Sequence, residues 1–357
     1  MNCNDSCVDA EEWDTAGYWY FFDPFHLAFT GLLIVALQTV MCLAVVGCRL
    51  RRFKEVAGGI TFCAVAGTTF AFSQHYYLRQ ILLTSFVCLW AIRLAAYLCY
   101  RQTVLEEEQR DMLVQLQATT VIGKEDDQPP SFSAQRKWAR LLVFWTFQAF
   151  WAFIVSIPLV LSNSPVMDHL HVAGMPADQP LYVTDLDIMG IVMWAVGFLI
   201  EFCADCQKFR FRRKPSNEDK FCDDGLWTWS RHPNYFGELL QWWGIFVMYS
   251  QLISERRRWM WLGLCSPLAV SGAILFLSGM PPQEQSAHLR YGHDEDYQDY
   301  KYSTSPLVPM PPELYVKFPR FVQMCCLFEL PLYDFLAKKP KTDSQPAKPA
   351  RRLEMPY

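Results

Sequence analysis

Charged residues are scarce in this sequence. They make up 19% of its 357 residues, whereas a soluble protein usually carries about 25%. Apolar residues reach 52% and aromatic residues 15%, and the long apolar runs are typical of a membrane protein. The formal net charge is −4, and no basic stripe with interleaved aromatic residues lies outside the loops, so we expect no nucleic-acid partner.

Two further absences narrow the class of protein. The first 24 residues contain no Lys or Arg, so they lack the basic start that a signal peptide requires. The 13 cysteines are scattered, and the CADC spacing of Cys203 and Cys206 has no second Cys or His pair near it. Since a structural zinc ion needs four ligands, we predict no metal site.

Seven apolar runs predict an all-α fold, a multi-pass transmembrane helical bundle. Most of the runs approach the roughly 17 to 25 residues that a spanning helix needs, although the sixth is shorter, and six or eight spans are alternatives. The runs lie at about 25–47, 56–73, 81–99, 141–161, 188–203, 239–253 and 259–277.

Basic residues indicate the orientation of these spans. They are concentrated after the first, third and fifth runs, whereas the loops at 74–79 and 162–187 contain very few. Because basic loops stay in the cytosol, we predict a lumenal or external N-terminus and a cytosolic C-terminus. We further predict an acidic N-terminal segment at 1–24, a membrane domain at 25–312 with a polar cytosolic loop at 106–135, and a partly disordered tail at 313–357.

Ionisable residues inside apolar runs are costly, so each is a functional candidate. The fifth run ends in IEFCADCQKFRFRRK, where Glu201, Asp205, Lys208 and Arg212 follow one another along one helical face. Helix ion pairs and cytosolic basic residues would explain Lys208 and Arg212. They do not explain two carboxylates at membrane depth.

The sixth run begins with SRHPNYFGELLQWW, which is unusually polar for the mouth of an apolar helix. Pro233 suits a first helical turn, and the free N–H groups of that turn, with Arg231 and His232 before it, predict an anion site. Asn234 and Glu238 follow on one face of the helix. An interfacial anchor would not need this pair, so we favour a site for a large anionic cofactor that enters from the cytosol.

A third polar segment, SGMPPQEQSAHLRYGHDEDYQDYKYSTSP, follows the last apolar run. It contains Glu284 and Tyr291 among other polar side chains, and we count both as candidates for cofactor binding. An amphipathic helix on the membrane surface explains the segment equally well.

These residues resemble a known family. LWTWSRHPNYFGELLQWWGIF, FLIEFCADCQKFRF and the SGMPPQEQ segment are similar to the steroid 5-alpha-reductase C-terminal superfamily, and more narrowly to a branch of membrane reductase-like proteins with the RHPNYFGE core. The resemblance covers about residues 79–309. It implies a helical bundle with a cytosol-facing cavity for NADPH, in which a lipid from the bilayer is reduced at an enone or enoyl double bond.

The resemblance also implies roles for particular residues. Asp205 and Arg212 match the polar stripe before the motif, Asn234 and Glu238 match its core, and Arg231, His232 and Tyr235 would line the cofactor. In steroid reductases the proton donor is a tyrosine on an early span, and HYYLR makes Tyr76 the candidate here. Tyr76 lies one span too early, however, and no glutamate within a span precedes it.

Two other functions are compatible with the same motifs. Isoprenylcysteine carboxyl methyltransferases also have an RHP-x-Y-x-G motif but bind S-adenosylmethionine, which has no phosphates and needs fewer cations. A non-catalytic relative that binds a sterol or another lipid is the third alternative. The resemblance and the N-terminal charge pattern favour a reductase of the endoplasmic reticulum membrane.

Overall fold

The computed structural model describes residues 23, 25–47, 53–73, 76–119, 130–165, 183–253, 258–331 and 333. The predicted N-terminal segment and the part of the predicted tail beyond residue 333 lie outside the described residues, apart from residue 23. Helices form most of the described chain, and this part contains no strand, which confirms the all-α prediction. The chain divides into two compact units, Met1–Thr184 with Tyr249–Gly263, and Asp185–Met248 with Leu264–Tyr357.

The described residues of the first unit form four long helices. They are α1 (Leu27–Gly47), α2 (Phe53–Ala71), α3 (Leu78–Thr119) and α4 (Pro130–Ser162). The prediction of a loop at 106–135 is therefore wrong for most of its length, because α3 continues to Thr119 and α4 begins at Pro130. The sequence VLEEEQRDMLVQLQ is rich in strong helix formers, and this propensity prevails over its polarity.

Buried hydrogen bonds join the ends of three helices in the first unit. The Asn163 amide donates to the Thr69 and Thr84 hydroxyl groups over 3.2 Å each, and the Gln80 amide donates to the Ser162 carbonyl over 3.0 Å. These bonds tie the end of α4 to α2 and α3, because a buried polar group is costly without a partner.

The second unit contains the motifs that the sequence analysis selected. Its described residues form the helices α5 (Asp185–Arg212), α6 (Pro233–Ser250), α7 (Cys265–Gly272), α8 (Met280–Tyr291), α9 (Glu295–Ser303), α10 (Pro312–Tyr315) and α11 (Arg320–Cys326). Pro233 is the first residue of α6, as its position in the sequence predicts. The last two residues of α6 belong to the first unit. A π-helical turn at Ala273–Leu277 follows α7.

Five helical segments in the described residues are long and apolar enough to cross a membrane. They are Leu27–Val46, Leu78–Tyr100, Leu141–Ser162, Asp185–Arg212 and Arg258–Tyr291, and Val56–Ala71 is a shorter apolar helix. The chain is therefore consistent with a multi-pass membrane protein, while the count of seven spans stays a prediction. Large apolar side chains are exposed on these helices, for example Leu32 (72%) and Leu199 (59%). Such surfaces are unfavourable in water and favourable in lipid.

Glycines set the contact between α5 and α6. A β-carbon added at Gly197 would lie 2.5 Å from the Gly237 carbonyl oxygen, and one at Gly190 would lie 2.6 Å from that of Gly244. The two glycines on each helix are seven residues apart, which is about two turns. The two antiparallel backbones therefore touch at two levels on the same faces. Small residues permit this close approach in membrane helices. The contact places the polar side chains of α5 directly opposite those of α6.

We expect Gly197→Ala to destabilise the protein by about 1–3 kcal/mol, because its methyl group overpacks a backbone contact that cannot give way. The matched control is Gly272→Ala, where an added β-carbon meets no atom within 4 Å and alanine favours the helix. Thermal unfolding in detergent measures both changes. A Gly197→Ala midpoint at or above that of Gly272→Ala would contradict the close crossing.

Candidate functional site

The loop before α6 is fixed to the segment after α9. The Ser230 hydroxyl donates to the Leu307 carbonyl over 2.8 Å and accepts from the His232 amide over 3.1 Å. The Arg231 amide donates to the Ser305 carbonyl over 2.9 Å. These buried bonds hold the side chains of the RHP motif in one orientation before the helix begins.

Arg231 is the centre of a buried ionic cluster. Its Nε donates to Glu284 Oε1 over 3.1 Å, and one terminal nitrogen donates to both carboxylate oxygens of Glu329 over 2.9 and 3.0 Å. The other terminal nitrogen donates to the carbonyls of Lys301 and Thr304 over 2.6 and 3.4 Å. All three nitrogens of the guanidinium thus donate to protein oxygens.

The charges of this cluster act on each other. Burial opposes the charge on Arg231, but the Glu284 and Glu329 carboxylates outweigh it and raise the pKa of Arg231 above its ordinary value. Burial lowers the pKa of His232, although its 2.8 Å contact with Glu284 opposes this effect. His232 is therefore neutral near pH 7, and its ring stacks on Tyr235 at 5.5 Å.

A second group of polar side chains lies between α5 and α6. The Gln241 amide donates to Glu201 over 2.7 Å, and the Asn234 amide donates to Asp205 over 3.4 Å. Glu201 and Asp205 are both buried. The amide oxygens of Gln241 and Asn234 are buried without a hydrogen-bond partner among the described residues, which leaves two acceptors for a donor.

A cleft in the second unit brings many of the candidates together. Its enclosed volume is about 90 Å³, and about 690 Å³ with the open mouth included. Aromatic rings form part of its wall, with Phe221 between 5.1 and 6.0 Å from three tyrosine rings. Lys208 also lies 4.3 Å above the ring of Trp227. The lining includes the cations Lys208, Arg212, Lys220 and Arg290, the cluster residues Arg231, His232 and Glu284, and the aromatic residues Phe221, Trp227, Tyr291, Tyr297 and Tyr300.

The structure separates the sequence-predicted residues into three groups. Six of them line the cleft, namely Lys208, Arg212, Arg231, His232, Glu284 and Tyr291. Five others lie on α5 and α6 in the same unit, namely Glu201, Asp205, Asn234, Tyr235 and Glu238. Tyr76 belongs to the first unit, where its side chain is 57% exposed and its ring lies 4.9 Å from that of Phe70. Its role as proton donor stays a prediction.

Sequence reasoning missed Glu329, Tyr315 and Phe221. Glu329 lies in a segment that the sequence analysis assigned to a tail, yet it binds Arg231, and the Tyr315 hydroxyl donates to it over 2.7 Å. The stretch CCLFELPLY did contain a signal, because a single carboxylate among apolar residues usually has a buried partner. In the part of the chain that the structure describes, no group of three or more His, Cys, Asp or Glu residues could hold a metal ion.

The fold and the site define a class, a helical membrane protein with a buried ionic cluster and a cationic cleft in its C-terminal unit. The model of a family described as "Protein of unknown function (DUF1295)" matches residues 45–304, and the chain belongs to this family. Its members are membrane proteins similar to steroid 5-alpha-reductases. No curated protein and no solved structure matches the chain significantly.

We expect Arg231→Met to destabilise the protein by about 3–5 kcal/mol, because it leaves the carboxylates of Glu284 and Glu329 buried without a cation. The control is Arg213→Met, since Arg213 is exposed and its guanidinium lies 5.6 Å from the centre of the Phe209 ring. Chemical unfolding in detergent measures the difference. Equal stability of the two variants would show that Arg231 is not the centre of the cluster.

Proposed function

We propose that the protein is a membrane-embedded NADPH-dependent reductase that saturates a carbon–carbon double bond of a lipid, either a steroid-like enone or an enoyl chain. The observation that carries this proposal is the cleft, in which four cationic side chains face a wall of aromatic rings. Cations bind phosphates, and aromatic rings stack on nucleotide bases. The membership of a reductase-like membrane family supports the same reading.

The cations in the cleft favour NADPH over S-adenosylmethionine. NADPH has three phosphates, whereas S-adenosylmethionine has none. Lys208, Arg212, Lys220 and Arg290 line the cleft in addition to Arg231. Arg231 is buried and its nitrogens donate to protein oxygens, so we give it the task of organising the site. We assign the phosphates to the more accessible cations, of which Arg290 also donates to the Glu218 carbonyl and pairs with Asp219.

The remaining polar groups fit the uncharged parts of NADPH. The ribose hydroxyls and the carboxamide are hydrogen-bond donors, and Glu284 Oε2, on a residue that lines the cleft, is a buried acceptor without a partner in the described chain. The Phe221 and Tyr300 rings, 5.1 Å apart, offer stacking faces for a base. The neutral His232 ring stacks on the Tyr235 ring, and His232 Nε2 contacts Glu284 Oε1.

The chemistry of such a reductase is balanced by one hydride and one proton. When bound, NADPH would supply the hydride for the β-carbon of the double bond, and with a proton added at the α-carbon the products would be NADP⁺ and the saturated lipid. We propose Tyr76 as the proton donor. We also place the enzyme in the endoplasmic reticulum membrane with its cofactor on the cytosolic side, on the basis of the family resemblance and the distribution of basic residues.

An open groove in the first unit suits the hydrocarbon part of a lipid. It lies between α2 and α3, has a volume of about 1030 Å³ with open space included, and is lined by apolar side chains and cysteines. Gly59, Ala91 and Ala95 are among its lining residues, and they let α2 and α3 approach each other closely. It contains no group that could carry the chemistry, so we assign it to binding only.

We expect NADPH to raise the melting temperature of the purified protein, while NADH does so less and S-adenosylmethionine does not. A ligand at 100 times its dissociation constant stabilises by about 2.7 kcal/mol, which a thermal-shift measurement resolves.

The double variant Arg212→Met, Lys220→Met should weaken NADPH binding by about 1–3 kcal/mol through lost phosphate contacts. The control is Lys214→Met, because Lys214 is exposed and does not line the cleft.

Each other outcome of this measurement selects a different function. Stabilisation by S-adenosylmethionine alone would contradict the reductase and indicate a methyltransferase. Stabilisation by none of the three ligands, with retained sterol or lipid binding, would indicate a non-catalytic lipid-binding protein.

A further inference from the structure

The chain continues to contribute to the second unit after the end of the family match at residue 304. Tyr315 and Tyr333 are almost fully buried, at 2% and 1% exposure. The Tyr333 hydroxyl donates to the Leu275 carbonyl over 3.1 Å, and the Gln323 amide donates to the Tyr315 carbonyl over 3.1 Å. Residues 312–333 are thus packed against the unit, and they bring Glu329 to the ionic cluster.

Glu329 is held on two sides. Both of its oxygens accept from the same terminal nitrogen of Arg231, and Oε2 also accepts from the Tyr315 hydroxyl. Burial and the Glu329 carboxylate raise the pKa of Tyr315, so its hydroxyl stays protonated and donates. The Glu329 side chain is 16% exposed and that of Glu284 only 3%, so Glu329 reaches the cluster from its rim.

Glu284 accepts a hydrogen bond from Arg231 through only one of its two carboxylate oxygens. An arginine side chain commonly binds a carboxylate through two parallel hydrogen bonds, one to each oxygen. Here Glu284 Oε1 contacts both Arg231 Nε and His232 Nε2, while Oε2 is buried with no partner among the described residues. The terminal nitrogen that would bind Oε2 is occupied by Glu329.

We propose that Glu329 is a positioning residue that occupies the terminal nitrogen of Arg231 and so leaves Glu284 Oε2 available to a hydrogen-bond donor of the ligand in the cleft. The donor is a hydroxyl or amide N–H group. The part that concerns the ligand rests on the proposed function, because NADPH offers both kinds of donor. The geometry at Arg231 does not depend on it.

The test is Glu329→Gln, with Glu313→Gln as the matched control on the same segment, where Glu313 is exposed. The glutamine accepts from only one N–H of the terminal nitrogen of Arg231, so the second N–H recruits Glu284 Oε2. We expect the dissociation constant for NADPH to rise roughly tenfold, the loss of one hydrogen bond to a charged group. Glu313→Gln should bind NADPH as the wild type does.

A double-mutant cycle separates positioning from simple stabilisation. In a Glu284→Gln background, Glu329→Gln should add little to the loss of NADPH affinity, because both changes remove the same contact. A residue that only stabilises the fold would lower the melting temperature and leave the affinity of the folded protein unchanged. If Glu329→Gln does not fold, Tyr315→Phe removes only the hydroxyl that orients Glu329 and should weaken binding in the same direction.

The protonation of His232 provides a readout without NADPH. Deuterium exchange at the imidazole C2 position, followed by mass spectrometry against pH, gives its pKa. The contact with Glu284 raises this pKa, while Arg231 and Lys208 lower it. Glu329→Gln draws Glu284 toward Arg231 and removes a negative charge, so the midpoint should move to lower pH, and the shift should be smaller in the Glu284→Gln background.

The two failures are distinguishable. A wild-type protein that does not bind NADPH contradicts the proposed function, and the His232 midpoint then decides the role of Glu329 alone. Unchanged NADPH affinity in Glu329→Gln, or a His232 midpoint shift that is equally large in the wild-type and Glu284→Gln backgrounds, overturns the positioning role.

Discussion

The guanidinium of Arg231 is the group on which the second unit depends. It joins the start of α6 to Glu284 of α8, to the carbonyls that end α9, and to Glu329 of the C-terminal segment. A buried charge is tolerated only when its partners satisfy its donors, and here all three nitrogens donate to protein oxygens. The cluster is therefore both a packing element and the reason that the carboxylates and the histidine stand where a ligand could reach them.

The glycine contact between α5 and α6 sets the distance at which the polar side chains of these two helices meet. Two levels of backbone contact, at Gly197 with Gly237 and at Gly190 with Gly244, fix the distance and register of the helices. Side chains on the touching faces then meet in pairs, of which Asp205 with Asn234 is one. A substitution that shifts either helix would move all of these polar pairs together. The packing of the two helices therefore determines the positions of the polar side chains between them.

The two devices also separate two kinds of charge in the second unit. The sequence predicts that Arg231 itself meets an anion at the mouth of α6. In the structure its donors are directed to protein acceptors, and the cations that line the cleft come from α5, from the loop after it and from α8, at positions such as Lys208, Lys220 and Arg290. Fixed charges inside the protein hold the wall of the cleft, and more exposed charges also line it. Such a division keeps the desolvation cost of the exposed charges low.

Sequence patterns alone determined the helical class, most of the apolar spans and the polar face of each of α5 and α6, because hydrophobic length and helical periodicity are local properties. They failed at 106–135, where helix propensity prevailed over polarity, and they placed Glu329 in a tail. Only the tertiary structure decided that a carboxylate 98 residues from Arg231 in the chain is its second counterion. The physical reason is that a buried charge recruits partners by proximity in space, and sequence spacing does not encode that proximity.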